Sequence, residues 1–349
     1  MGRVTIDDVA RRARVSVATV SRALRGLPNV SPHTRERVLA AARELDYRPD
    51  PNASRLAAGK THTVAMAVPS PSLWYSGQVV AGAEAVLSAS GYDLMLFVVA
   101  DEASRRRLLA GPDRLGKRVD GLIMVDCAPE EPTDFPLVTV GAEVEGHPCA
   151  VIDNRAAGAM AAQHLLELGH REIGLIGGDP DVDPSTTQGL RRTGFLDALA
   201  EGGVSVPAQW DLDGGFSVVG GYEAMAEMLA GPRRPTAVFA MSDDMAFGAL
   251  RAAAEVAVTV PGELSVIGFD DHAIAFTVGL STVRQDPEAL GAAGAHLLVD
   301  LLADPHAPPR RIEEPTELVP RESTGPRPRK MTLELAEGGG GDGSRVEGV

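Results

Sequence analysis

Apolar residues at Ile6, Val9, Ala10 and Ala13 fall at i, i+3, i+4 and i+7, the spacing of one face of a short helix. Thr5 stands at its N-cap, and Asp8 three residues on completes a weaker form of the capping box. Arg14 and Val15 turn the chain into Ser16, a second N-cap, after which Val20 and Leu24 point inward. Val17, Ala18, Ser21, Arg22 and Arg25 then share the opposite face. Ser31-Pro32 opens a third helix with proline at the first position, where its missing N–H costs nothing. Val38, Leu39, Ala42 and Leu45 give that helix its inward face. The first helix alone reads equally well as part of a structural hairpin. With the other two, residues 1–48 predict an all-α helix-turn-helix head whose second helix enters a DNA major groove.

The two prolines of Pro49-Asp-Pro51 stop the third helix. Asn52 can cap one short helix through Ala53, Leu56 and Ala57 before Gly59, so residues 49–60 read as a hinge and linker too short to hold helix unaided. From Thr63 the pattern changes. Strand-like runs at 63–68, 93–99, 121–125, 137–140, 150–153, 172–176, 237–241 and 264–269 alternate with helical stretches at 77–90, 105–115, 156–168, 190–200, 222–229, 245–254 and 288–302. Apolar strands alternating with helices predict parallel sheet covered on both faces, and the strands are too many for one compact sheet. Residues 61–323 therefore read as an α/β body of two Rossmann-like subdomains facing a cleft, with ligand groups at the carboxyl ends of the strands. After Thr324 the chain turns polar and glycine-rich, and residues 324–349 read as a disordered tail.

Charge divides along the same line. Residues 1–60 carry 12 Lys and Arg against 6 Asp and Glu, a balance of +6, while the remaining 21 and 42 leave −21, for the total of −15. A basic head on an acidic body fits a protein whose head alone meets phosphate. Cys127 and Cys149 lie in or beside apolar strands and read as reduced, buried thiols rather than a bridge or metal site. Neither an apolar signal region nor a membrane-length run is present, which predicts a soluble, cytoplasmic protein.

An enzyme would have to use the carboxylates Asp243-Asp244 and Asp270-Asp271. No Ser-His-Asp elbow, metal-ligand cluster or dinucleotide loop accompanies them, so no catalytic residue and no cofactor is expected. An exported sugar-binding protein would share the two-lobed body, but the head and the missing signal region oppose that reading.

Head, hinge and body together resemble the LacI/GalR family of bacterial transcriptional repressors. The likeness rests on Asp8-Val-Ala10, Val15-Ser16, Thr19-Val-Ser-Arg22, Val30-Ser31, Thr34-Arg35 and Leu45-Asp-Tyr47-Arg-Pro49. In the body it rests on His164-Leu165, Leu168-Gly-His170, Arg191, Gly194-Phe195, Ser242-Asp243, Gly268-Phe-Asp-Asp271, Thr282-Val-Arg-Gln285 and Leu318-Val-Pro-Arg-Glu-Ser323.

The resemblance implies a homodimer on a near-palindromic operator in double-stranded DNA, regulated by a small effector, often a sugar, in the body's cleft. It implies base reading by Arg22, with Val17 and Ala18 at short apolar reading positions suited to thymine methyls. Ser16, Thr19, Ser21, Ser31 and Thr34 match positions that hold phosphates, and Ala53 and Leu56 match a minor-groove wedge. For the effector it implies Arg191 and Asp270 as a polar pair, Phe216 as an aromatic over the ligand, and Ser242 beside Asp244. The loop ending Trp74-Tyr75 departs from the family pattern; these two rings either stack on a sugar face or pack the loop. Induction and corepression remain equally open.

Overall fold

The computed structural model describes residues 4–47, 60–109, 115, 116, 118–129, 133 and 135–327. The expected hinge, with Ala53 and Leu56, lies outside the described residues, as does the tail from residue 328.

The head consists of α1 (Ile6–Ala13), α2 (Val17–Leu24) and α3 (Pro32–Glu44). Each starts where a capping side chain allows. Asp8 Oδ2 accepts from Thr5 N at 2.9 Å and from Thr5 Oγ1 at 2.8 Å. Ser16 Oγ accepts from Thr19 N and Ser31 Oγ from Thr34 N, both at 3.2 Å. Val9, Val20 and Val38 meet in a fully buried centre, closed by alanines and by Ile6, Val15, Leu24 and Leu45 around it. Leu39, expected inward, is exposed instead. The buried face of α3 runs through Val38, Ala41 and Ala42, and one residue is about 100° round a helix.

The body continues with β1 (Thr63–Val68), α4 (Trp74–Ala89), β2 (Asp93–Val98), α5 (Glu102–Leu109), β3 (Gly121–Val125), β4 (Leu137–Val140), β5 (Cys149–Val151) and α6 (Asn154–Glu167). Then come β6 (Ile173–Gly177), α7 (Thr187–Glu201), β7 (Asp211–Asp213), α8 (Val218–Ala230), β8 (Ala237–Ala240) and α9 (Asp243–Glu255). The chain closes with β9 (Ser265–Asp270), α10 (Ala273–Thr277), β10 (Ser281–Arg284), α11 (Pro287–Ala303), β11 (Arg311–Glu313) and β12 (Glu317–Val319). It divides into two compact units: residues through Asp153 with Ser185–Thr187 and Gln285–Thr316, and Asn154–Pro184 with Gln188–Arg284 and the chain from Glu317.

Each unit holds a six-stranded sheet, in the orders β2-β1-β3-β4-β5-β11 and β7-β6-β8-β9-β10-β12. All pairings are parallel except β10 with β12. Both sheets thus follow the same doubly wound succession, with strand order reversing beside β1 and again beside β6. β3, β4, β6, β8 and β9 are buried along their whole length, as covered parallel strands must be.

Four short strands, β7, β10, β11 and β12, were not legible as a hydrophobic pattern. Asp-Leu-Asp and Arg-Ile-Glu each carry one apolar residue, so their strand form is set by the neighbour they pair with. Helix α4 begins three residues before the expected start, so Trp74 and Tyr75 belong to its first turn and not to a loop. Cys149 is buried, as expected, whereas Cys127, expected buried, is only half-buried. Order also extends past Ser323: Arg327 N donates to Leu168 O at 2.9 Å, and buried His170 bridges Thr236 Oγ1 and Gly325 O, each at 3.0 Å.

One packing device positions the second unit's chemistry. A β-carbon on Gly158 of α6 would overlap the Arg191 carbonyl of α7, and one on Gly194 of α7 would overlap the Arg155 carbonyl of α6. The two backbones touch at both points. That close approach brings the Arg191 side chain to Asn154, at the start of α6.

Candidate DNA-reading face and effector site

On α2 the residues expected to read bases are open to solvent: Val17 is 39% exposed, and Ala18 and Arg22 are exposed beside it. The hydroxyl residues are already organised by the helix starts. Ser16 Oγ lies 2.9 Å from Thr19 Oγ1, and Ser31 Oγ donates to Thr34 Oγ1 at 2.9 Å. Two helix N-termini therefore present the same Ser-x-x-Thr arrangement, with backbone N–H groups suited to an anion. Ser21 differs. Its hydroxyl accepts from Arg25 at 2.9 Å, and Arg25 Nε also donates to Ser21 O at 3.3 Å.

In the first unit, Trp74 and Tyr75 open α4 just beyond the carboxyl end of β1, both half-buried. Asp126, immediately after β3, joins them at the strand-order reversal and was not singled out from the sequence. Gly141 adopts φ +85, and a β-carbon there would overlap the Asp126 carboxylate and come 3.4 Å from the Tyr75 hydroxyl. The Thr187 hydroxyl makes contacts of 3.2 Å to Asp126 Oδ1 and 3.0 Å to Gly141 O. Asp126 itself has φ 50, the kind of strained backbone that gathers at binding sites. Its sequence signal is slight: one carboxylate ending a run of five apolar or glycine residues. Burial and the Asp126 charge push the neighbouring Cys127 thiol up to about 12, so it is no nucleophile at neutral pH.

In the second unit, the predicted residues gather at the carboxyl ends of β7, β8 and β9. Arg191 is 6% exposed, and its guanidinium donates to Asn154 Oδ1 at 2.9 and 3.2 Å and to Met241 O at 2.8 Å. The same group sits 3.5 Å from the centre of the Phe269 ring. It is thereby fixed to the residues just before Ser242 and Asp270. Asn154, its main acceptor, was also missed from the sequence. Ser242 caps α9, accepting from Met245 N at 3.3 Å, so part of its hydrogen-bonding capacity is spent on the fold. Burial raises the Asp244 carboxyl above the ordinary range, opposed by the nearby His272. Phe216 follows β7 with φ 49, and a β-carbon on Gly178 would touch its ring. Asp270 is 7% exposed with φ 117, and Asp271 follows with φ 58. Among the described residues no His, Cys, Asp and Glu cluster is arranged to hold a metal, and no helix is long and apolar enough to cross a membrane.

These features coincide with known regulators. Residues 5–50 match the family of bacterial regulatory proteins of the lacI type, and residues 162–324 match a periplasmic binding protein-like domain. The chain is 36% identical over 332 residues to the HTH-type transcriptional repressor PurR of Escherichia coli O139:H28, covering 91% of this chain and 96% of that protein. Among solved structures, a Lac repressor dimer bound to operator and the anti-inducer ONPF superposes with TM-score 0.76 at 28% identity, covering 93% of this chain and all of that one. A complex of the transcriptional regulator CelR with cellobiose gives TM-score 0.65 at 31% identity over 92% of this chain and all of that one. The chain belongs to the lacI family of bacterial regulatory proteins. It is a DNA-binding transcriptional repressor, and like its relatives it is a regulator and not an enzyme.

Proposed function

We propose that the protein acts in the cytoplasm as a homodimer on a near-palindromic operator, and that a small neutral sugar sets its affinity for that DNA. The observation that carries the effector reading is Arg191, a buried guanidinium held by Asn154 and Met241 O beside Phe269, one residue before Asp270. A fixed donor fork next to an acceptor suits vicinal hydroxyls. Asp244 and Asp270 add acceptors at the same strand ends, which favours hydroxyl donors and disfavours an anionic ligand. Phe216 and Ser242 are the further contacts proposed there, and Trp74 and Tyr75 are the aromatic contacts proposed for the first unit. The cellobiose held by CelR supports the same ligand class.

On DNA, Arg22 reads a base edge, Val17 and Ala18 meet thymine methyls, and Ser16, Thr19, Ser21, Ser31 and Thr34 hold phosphates. Ala53 and Leu56 are the residues proposed for the minor-groove wedge. A single three-helix head reads too few base pairs for specificity, which supports the dimer. Leu96 and Val98, 41% and 51% exposed on edge strand β2 beside α4, suit the contact between copies.

Calorimetry of the full chain against cellobiose, glucose, galactose, ribose, adenine and hypoxanthine tests the effector class. Binding confined to sugars, and lost in Asp270→Ala, is expected. Binding confined to the nucleobases would overturn the sugar reading.

A further inference from the structure

Asp243 is a fully buried carboxylate that neither DNA reading nor effector contact uses. It is the first residue of α9, directly after the capping Ser242. Oδ2 accepts from His272 N at 2.7 Å, and Oδ1 accepts from Thr282 Oγ1 at 2.8 Å. The Thr282 hydroxyl in turn accepts from Asp271 N at 3.3 Å. A β-carbon at Gly268 would overlap Asp243 Oδ1, so the carboxylate lies directly on the backbone of β9. One side chain therefore grips two consecutive amides of the Asp271-His272 turn, one directly and one through Thr282.

That turn needs a grip. Asp270 at φ 117 and Asp271 at φ 58 both hold backbone angles that side chains disfavour, and such a conformation persists only where its surroundings over-determine it. The Asp271 carboxylate is fastened separately, by Arg284 and Arg321.

We propose that Asp243 is a positioning residue of the effector site: its carboxylate locks the Asp270-Asp271-His272 turn to the N-terminus of α9, so that Asp270 and the Ser242-Asp244 turn present their acceptors to a hydroxylated ligand as one rigid unit. The proposal rests on the effector reading above for the ligand, but not for the lock itself. Burial and the charge of Asp270 both push the Asp243 carboxyl well up, while the hydrogen bonds from Thr282 and His272 N hold it down. Asn at this position must face either His272 N–H or the Thr282 hydroxyl with the wrong group.

The test is amide hydrogen exchange on the full chain carrying Asp243→Asn, Thr282→Val or Thr282→Ser, with calorimetry against cellobiose, glucose, galactose and ribose. Asp243→Asn and Thr282→Val should each speed exchange at Asp271 and His272 about tenfold, the loss of one hydrogen bond, and leave β8 and the later turns of α9 protected. Thr282→Ser keeps the hydroxyl and should restore wild-type exchange. The Asp243→Asn, Thr282→Val double variant should exchange no faster at Asp271 than the faster single variant, because both changes break one relay. Wild-type exchange in both single variants would overturn the lock. Faster exchange with unchanged affinity for a sugar that Arg191→Ala no longer binds would overturn its role in presenting Asp270. Sugar binding untouched by Arg191→Ala would instead fail the effector reading, while the exchange result still decides the lock.

Discussion

The Arg191 guanidinium sits 3.5 Å from the centre of the Phe269 ring, with Asn154 and the Met241 carbonyl as its acceptors. The start of α6, the residue after β8, and β9 are thus tied to one side chain of α7. Its position is fixed before any ligand arrives, which lowers the ordering cost of binding.

Lysine at 191 keeps the charge but not the fork, so Asn154 and Met241 cannot both be served. Arg191→Lys should lower unfolding stability by about 1–3 kcal/mol through the acceptor left buried. Denaturant titration checks this. Wild-type stability would mean that the contacts are incidental.

Arg22 stands exposed on α2 among the short side chains of Val17 and Ala18. Arg22→Ala should cost about 1–3 kcal/mol of specific affinity and relax preference at one symmetric base pair, while non-specific binding changes little. Competition assays with randomised duplexes give the answer. An equal loss on every sequence would reassign Arg22 to phosphate contact.

The touching backbones of α6 and α7 predict a sharp steric effect. Gly194→Ala places a methyl group on the Arg155 carbonyl, where no flexible side chain can yield. It should destabilise by about 1–3 kcal/mol and weaken ligand binding through displacement of Arg191. Gly203, with φ +71 and nothing near its missing β-carbon, provides the contrast: alanine there should cost backbone strain alone and leave ligand affinity intact.

Burial lowers both His164 and His170 below the ordinary histidine value of 6.5. The unfolded chain then binds protons that the folded one refuses. Their contribution is complete above about pH 6.5 and is lost as pH falls through the depressed folded values. Asp243 works in the opposite sense, since its raised carboxyl weakens the fold as pH rises through the folded value. The histidines by themselves lower the unfolding midpoint from pH 7 to pH 5.5, so any fall over that range should be shallower in His170→Gln. An unchanged slope would remove His170 from the account.

Much of this was legible in the chain. Ser16 and Ser31 announced their helices because a hydroxyl before an apolar face has one local use, and β1, β3 and β8 announced themselves by apolar runs. Arg191 and Asp270 were legible only through family likeness, since nothing local distinguishes them from other charged residues at helix starts and strand ends. Asp126 and Asn154 were missed for a physical reason: their significance lies in contacts with Thr187 and Arg191, 61 and 37 residues away along the chain. Leu39 was misread because a leucine adjoining a buried valine satisfies the pattern as readily as the valine does.

The central claim is that one protein couples operator binding by the head to ligand binding at Arg191. It is tested most directly by operator affinity measured with and without the sugar that calorimetry selects, for the wild type and for Arg191→Ala. The operator is chosen from random duplexes by the protein itself. The account predicts that ligand shifts wild-type affinity about 5–150-fold, the usual range of such coupling, while Arg191→Ala binds operator normally and shows no shift. A wild-type affinity indifferent to ligand, or an equal shift in Arg191→Ala, would contradict it.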